Sequence, residues 1–198
     1  MDRLWTPWRY NYVSRAGHED RAGVPPELAA WPGDKGCVFC NLIAAADYAV
    51  SADAASSARM SAEEAEKAAH IIHRGERNYV CLNAYPYNSG HVMIVPYAHQ
   101  DSLAALDEAA ALEMMQLARR TEQALRCVYR PEGLNFGMNL GQSAGAGIAG
   151  HIHLHALPRW AGDTNFMTVI AETRVLPETL DVTWQRLRDA FKIGGQPC

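Results

Sequence analysis

Residues 150–156, Gly-His-Ile-His-Leu-His-Ala, alternate imidazole with apolar side chains. Successive side chains of a β-strand point to opposite faces. The pattern therefore sets His151, His153 and His155 on one face and Ile152, Leu154 and Ala156 on the other. One face carries chemistry and the other is core. The segment just upstream, 139–150, holds four glycines, so its backbone can turn sharply and approach a ligand closely. Successive N–H groups of such a segment can cradle phosphate.

The rest of the composition limits what this row belongs to. With 198 residues, 48% of them hydrophobic, the chain is long enough for one globular domain with a sizeable core. A net charge of −4 gives no global field to draw in duplex nucleic acid or an anionic membrane, so an anionic ligand must be gripped locally. No apolar run approaches the length of about 18 residues needed for a membrane span. The N-terminal MDRLWTPWRYNYVS is aromatic and polar, not basic and then apolar as in a signal peptide. A cytoplasmic protein is the expectation. Of five cysteines only Cys37 and Cys40 stand close together, Cys81 and Cys127 lie in apolar segments and Cys198 ends the chain, which is not a disulfide framework.

Read along the chain, residues 1–36 form an irregular arm with Trp5, Trp8 and Trp31. Residues 51–67 are rich in Ala and Ser and read as a surface excursion ending in a short helix, capped by Ser61 with Glu64 three residues on. Strands are expected over 70–74, 78–83 and 91–96 as an antiparallel meander. Asp107 then caps a long helix over 108–129, whose apolar side is read as Leu112, Met115, Leu125 and Val128, with Ala118 and Thr121 between; Met114 and Met115 both read as core filling. Strands over 133–140, through the histidine row and over 165–170 follow, and a last helix over 178–192 carries Leu180, Trp184, Leu187 and Phe191 at helical spacing. Strands meet strands without the intervening helices a parallel sheet needs, so the fold class is α+β. The Cys37-Val38-Phe39-Cys40 pair is by itself compatible with a redox motif or with half of a metal site.

HIHLHALPR resembles the histidine-triad (HIT) family, whose pattern is His-φ-His-φ-His-φ-φ with φ apolar; LNAYPYNSGHVMIVPYAH is similar to the family's upstream strand, turn and strand. Within the family, RLWTPWRYNYV, NLGQSAGAGIAGH and PRWAGDTNF look most like the bacterial diadenosine polyphosphate phosphorylase and hydrolase branch. The resemblance implies a HIT-like fold with a five-stranded antiparallel sheet, one long helix and a C-terminal helix. It divides the single domain 1–198 into the arm, a core over 37–170 and a C-terminal helix and tail over 171–198. It also implies a two-fold homodimer.

The same resemblance carries roles onto particular residues. His153 matches the nucleophile, which attacks an α-phosphate to form a nucleotidyl-histidine intermediate. His155 matches the third histidine, which donates to phosphate or the bridging oxygen as the leaving group departs. Asn83 matches a ribose contact, and Asn139 with the backbone of Gly145, Ala146 and Gly147 matches the phosphate loop. His91 stands at the Gly-His position behind the reacting groups. Trp160 follows the triad strand and reads either as a wall of the site or as a packed surface aromatic. Cys37, Cys40, His99 and His151 match the four ligands of a structural zinc, one per chain, and Mg²⁺ arrives with the nucleotide. The resemblance implies a phosphohydrolase, phosphorylase or nucleotidyltransferase acting on a dinucleoside polyphosphate or related nucleotide, with no membrane or duplex nucleic acid as partner. Two other readings stand beside this one: a metallohydrolase with all three histidines on a catalytic metal, and a nucleotide-binding module with little turnover.

Overall fold

The computed structural model describes residues 21–163 and 177–193. The arm up to residue 20, the strand expected over 165–170 and Cys198 lie outside the described residues.

Five strands form one antiparallel sheet: β1 (Ile71–Arg74), β2 (Asn78–Leu82), β3 (Val92–Pro96), β4 (Gly133–Gly137) and β5 (Leu154–Arg159). Their order is β1-β2-β3-β5-β4. The first three are the expected meander. The next two are joined to it by α3 (Glu108–Tyr129), and β5 enters between β3 and β4, with Met93 opposite His155 on one side and Gly137 opposite His155 on the other. The ladder starts only at Leu154, so His151 and His153 stand in the run-in to β5 rather than within it. Alternation survives there: Ile152, Leu154 and Ala156 enter one core, while His151 and His153 turn to the other side of the sheet and meet Phe39. The strand expected over 133–140 stops at Gly137.

Two cores flank the sheet. On one face α3 and α4 (Leu180–Lys192) bury Leu117, Leu125, Trp184, Leu187 and Phe191 against Val80, Val92 and Ile94. On the other, α1 (Val38–Val50) and α2 (Ala62–Ala68) cover Ile71, Tyr79, Cys81 and Met93. Trp31 and Leu28 join this second core, which is how the described part of the arm packs.

The capping box at Ser61 is present, with Ser61 Oγ accepting from Glu64 N and Glu64 accepting from Ser61 N. The Asp107 side chain accepts from Ala110 N at the start of α3, and the helix closes at Arg130 in the left-handed region (φ 46) before Pro131. The expected apolar side of α3 is corrected in part. Leu125, Ala118 and Thr121 are buried, but Leu112 and Met115 are 62% and 56% exposed, and Met114 and Leu117 take the core positions instead. The Met pair therefore divides, Met114 into core and Met115 to solvent. At β1, the outer edge of the sheet, Trp184 Nε1 donates to Ile71 O (2.8 Å) and Arg188 donates to Ile72 O (2.5 Å), so α4 covers that edge. Cys37, Cys40 and Cys81 are free thiols.

Candidate active site and metal centre

Cys37 precedes the first residue of α1 and Cys40 lies in its first turn, so both thiols sit at one helix end. The run-in to β5 brings His151 to them and the segment after β3 brings His99. Cys37 Sγ lies 3.3 Å from His151 Nδ1, Cys40 Sγ 3.4 Å from His99 Nδ1 and 3.6 Å from His151 Nδ1. All four ligand atoms lie within 4.8 Å of one another. A tetrahedral zinc with ordinary Zn–S and Zn–N bonds separates sulfur from nitrogen by about 3.6 Å. The quartet therefore fits that ion. The chemistry of the set agrees: burial and the neighbouring Cys37 push the Cys40 thiol up to about 11, a cost that a bound cation would offset for the thiolate. Burial also pushes His151 down to about 4, against the pull of the Pro96 carbonyl. His151 Nε2 lies 2.9 Å from Pro96 O. A carbonyl can only accept, so Nε2 carries the proton and Nδ1 presents its lone pair to the cysteines.

The same logic fixes His153. Its Nδ1 lies 2.8 Å from the main-chain oxygen of His151, so Nδ1 holds the proton and Nε2 is the bare nitrogen. Burial lowers its pKa, partly offset by that carbonyl, and the ring is neutral at pH 7. Phe39, between the two cysteines, packs its ring against His151 and His153 at centroid distances of 5.4 and 4.8 Å.

His155 has the opposite tautomer. Tyr87 N donates to His91 Nδ1 (3.2 Å), and Asn83 Nδ2 lies 3.4 Å from the same atom. A backbone N–H can only donate, so His91 Nδ1 accepts and His91 Nε2 carries the hydrogen. That nitrogen lies 3.0 Å from His155 Nδ1, which must then accept, leaving the proton of a neutral His155 on Nε2. Adjacent triad rings, 4.7 Å apart at their centroids, thus offer a bare nitrogen from His153 and an N–H from His155.

The remaining expected residues fall less simply. Asn83 stands beside His91, with its Oδ1 accepting from Tyr85 N (2.9 Å). Asn139 Nδ2 reaches Gly145 O at 3.4 Å. Gly145 N and Ala146 N are turned into the loop, donating to Gln142 O and Gly141 O. Among the described residues no backbone carbonyl takes the Gly147 N–H. Trp160 packs edge-on against Tyr129 of α3, away from the histidine face, and so is the packed aromatic of the two readings. The metallohydrolase arrangement is absent from the described residues: only His151 of the triad joins the metal-capable cluster, while Nδ1 of His153 and of His155 are engaged elsewhere. Sequence reasoning missed Phe39, whose one signal is its place between two ligands, and the bonding of His91, which depends on a tertiary contact.

Known proteins show the same pattern. Residues 64–162 match the family model described as HIT domain. The chain is 35% identical over 180 residues to a Mycobacterium tuberculosis protein named AP-4-A phosphorylase, covering 91% of this chain and 79% of that one. A crystal structure of a zinc-bound histidine triad family protein from Mycobacterium smegmatis superposes with a TM-score of 0.55 at 26% identity, covering 79% of this chain and 94% of that one. A hypothetical histidine triad nucleotide-binding protein from Sulfolobus tokodaii, 22% identical, shares the fold with a TM-score of 0.53 over 63% of this chain and 84% of its own. Three histidines on one face, a Cys-His quartet behind them and this similarity across nine-tenths of the chain lead to one assignment: the chain belongs to the HIT-domain family.

Proposed function

We propose that this protein is a phosphohydrolase or phosphorylase acting at the α-phosphate of dinucleoside polyphosphates, with His153 as nucleophile. The observation that carries the reading is the complementary tautomer pair, a bare Nε2 on His153 beside an Nε2–H on His155. His153 Nε2 attacks the α-phosphorus, a P–N bond forms and the bond to the bridging oxygen breaks. The nucleoside polyphosphate leaves as an anion, and its departing oxygen accepts a hydrogen bond from His155 Nε2–H. Because the leaving group is a stable anion, His155 acts as a neutral donor and loses no proton. Water or inorganic phosphate then attacks the adenylyl group from solvent, the P–N bond breaks and His153 regains its lone pair. The name AP-4-A phosphorylase on the M. tuberculosis relative favours phosphate as acceptor.

Asn83 is assigned to the ribose, and Asn139 with the backbone of Gly145, Ala146 and Gly147 to the phosphates. Gly147 N–H is the most available donor, and the other two are freed only if the loop shifts. Mg²⁺ would enter with the polyphosphate. Cys37, Cys40, His99 and His151 would hold one zinc per chain, which supplies rigidity at the base of the triad run-in. The core is taken as 37–170 within one domain. A homodimer is inferred from exposed Leu112 and Met115 on α3 and from the outer strand β4, whose Phe136 is 39% exposed. No helix among the described residues is long and apolar enough to cross a membrane; the setting we assign is the cytoplasm, where nucleotide substrates are held.

The deciding experiment incubates the protein with diadenosine tetraphosphate, with and without inorganic phosphate. ADP plus ATP means phosphorolysis, and AMP plus ATP means hydrolysis. A denaturing quench at alkaline pH, which preserves phosphoramidates, should leave an adenylyl group on His153. Tight AMP binding with neither turnover nor adduct would instead establish a binding module.

A further inference from the structure

The turn at 83–91 sets the tautomer of His91 and is pinned to the far end of β5. Asn88 O accepts from His91 N (3.2 Å), and the Asn88 amide donates to Pro158 O and to Asp163 Oδ2, both at 3.0 Å. Asp163 is fixed in turn. Arg159 Nε lies 2.6 Å from Oδ2 and Arg159 Nη2 2.9 Å from Oδ1, and Trp160 N donates to Oδ2 at 3.3 Å. The Arg159 guanidinium holds this carboxyl far below the usual carboxylate range, so it stays an acceptor throughout the neutral range. Its side chain is only 11% exposed.

The end of the turn is equally constrained. Gly90 has φ +81, and a Cβ there would lie 2.7 Å from Tyr129 Cε2, so the turn passes Tyr129 at a point where only glycine fits. The connection runs from Asp163 to the Asn88 amide, through the turn to Tyr87 N–H, to His91 Nδ1, across the His91 ring to Nε2–H, and on to His155 Nδ1.

We propose that Asn88 and Asp163 are positioning residues for the reaction: their clamp sets the Tyr87 N–H against His91 and so keeps His155 as an Nε2–H donor toward the leaving oxygen. Neither touches substrate. This rests on the reading of His153 and His155 given above and extends it to a contact at the far end of β5. When the clamp is cut, Tyr87 N–H no longer dictates the His91 tautomer. His91 can then turn its bare nitrogen to His155, whose proton moves to Nδ1 and whose Nε2 faces the leaving group with a lone pair. Misplacement on this scale typically costs about a hundredfold where the donor matters.

The test compares two adenylyl esters, the p-nitrophenyl and the unsubstituted phenyl ester of AMP, in wild type, Asn88→Ala, Asp163→Asn and His155→Ala. The p-nitrophenolate departs with little help; the phenolate needs the donor. Both clamp variants should lose at least about tenfold in kcat on the phenyl ester and stay within about threefold on the other, the same selectivity as His155→Ala but smaller. Nitrogen NMR of ring-labelled histidine should show His155 shifting from one tautomer to a mixture. Asn88→Ala leaves the Arg159–Asp163 pair in place, so it keeps the test open if Asp163→Asn does not fold. Equal losses on both esters, or an unchanged His155 tautomer in Asn88→Ala, would overturn the clamp while leaving His153 and His155 untouched. If wild type forms no adenylyl-histidine on either ester, the underlying reading falls, and the clamp with it.

Discussion

The ring Nδ1 of His153 and the carbonyl oxygen of His151, 2.8 Å apart, leave Nε2 as the bare nitrogen of the His153 ring. The peptide group of one member of the Cys-His quartet thereby orients the ring two residues on. His153→Ala should lower turnover of diadenosine tetraphosphate by at least about 10⁴-fold while AMP still binds. His155→Ala, which removes a single donor to the leaving oxygen, should cost about 10²–10³-fold. Steady-state kinetics beside AMP titration by calorimetry separates the two, and near-normal turnover in His153→Ala would remove it from the mechanism.

Metal content gives the second prediction. Protein purified without chelators should carry about one zinc per chain by plasma mass spectrometry, and Cys37→Ser or His99→Ala should lose both zinc and thermal stability. A chelator should reproduce the same fall in melting temperature. Metal-free protein of unchanged stability would show that the quartet holds together without an ion.

Assembly can be tested at the exposed face of α3. Light scattering at micromolar concentration should return about twice 21.8 kDa. Met115→Glu and Leu112→Glu, at side chains 56% and 62% exposed, should give the monomer mass with an unchanged far-UV spectrum. A wild-type monomer with full activity would contradict the dimer.

A fourth prediction concerns His73, remote from the Cys-His quartet. Its pKa is lowered by burial and by the Arg120 and Arg188 guanidinium groups, with Glu113 pulling the other way, and Arg120 donates to its Nε2 at 3.0 Å. A ring whose folded pKa lies below its unfolded value contributes no penalty above about pH 6.5. Below that the unfolded chain takes up the proton first, so stability falls with pH until the folded pKa is passed. Urea unfolding between pH 7 and pH 5 should show this slope in wild type and a shallower one in His73→Gln. Identical slopes would assign the acid sensitivity to other groups.

Much of this was legible because it was local or periodic. The Ser61 box, the Asp107 cap, the meander and the alternation at 150–156 each depend on neighbours within a few positions. The quartet Cys37, Cys40, His99 and His151 was legible only through family resemblance, since its members come from three separate segments. Helix α1 was hidden because it opens on Cys37, which makes no side-chain cap, and because the cysteines draw attention to metal rather than to helical phase. On α3 the error was one of rotation: several apolar residues surround the helix, and only the sheet beneath selects Met114 over Met115. His91 and the inward-turned N–H groups of Gly145 and Ala146 required knowledge of partners distant in sequence or conformations fixed within the loop.

The cover that Trp184 and Arg188 place over Ile71 and Ile72 bears on how many chains can join. A sheet with two open sides is divalent and can add copies without end, as fibres do. Among the described residues the β1 side is occupied by the chain's own helix, and one lateral valence is left, at β4. Two such chains joined at that side exhaust each other, so growth by sheet extension terminates at the pair.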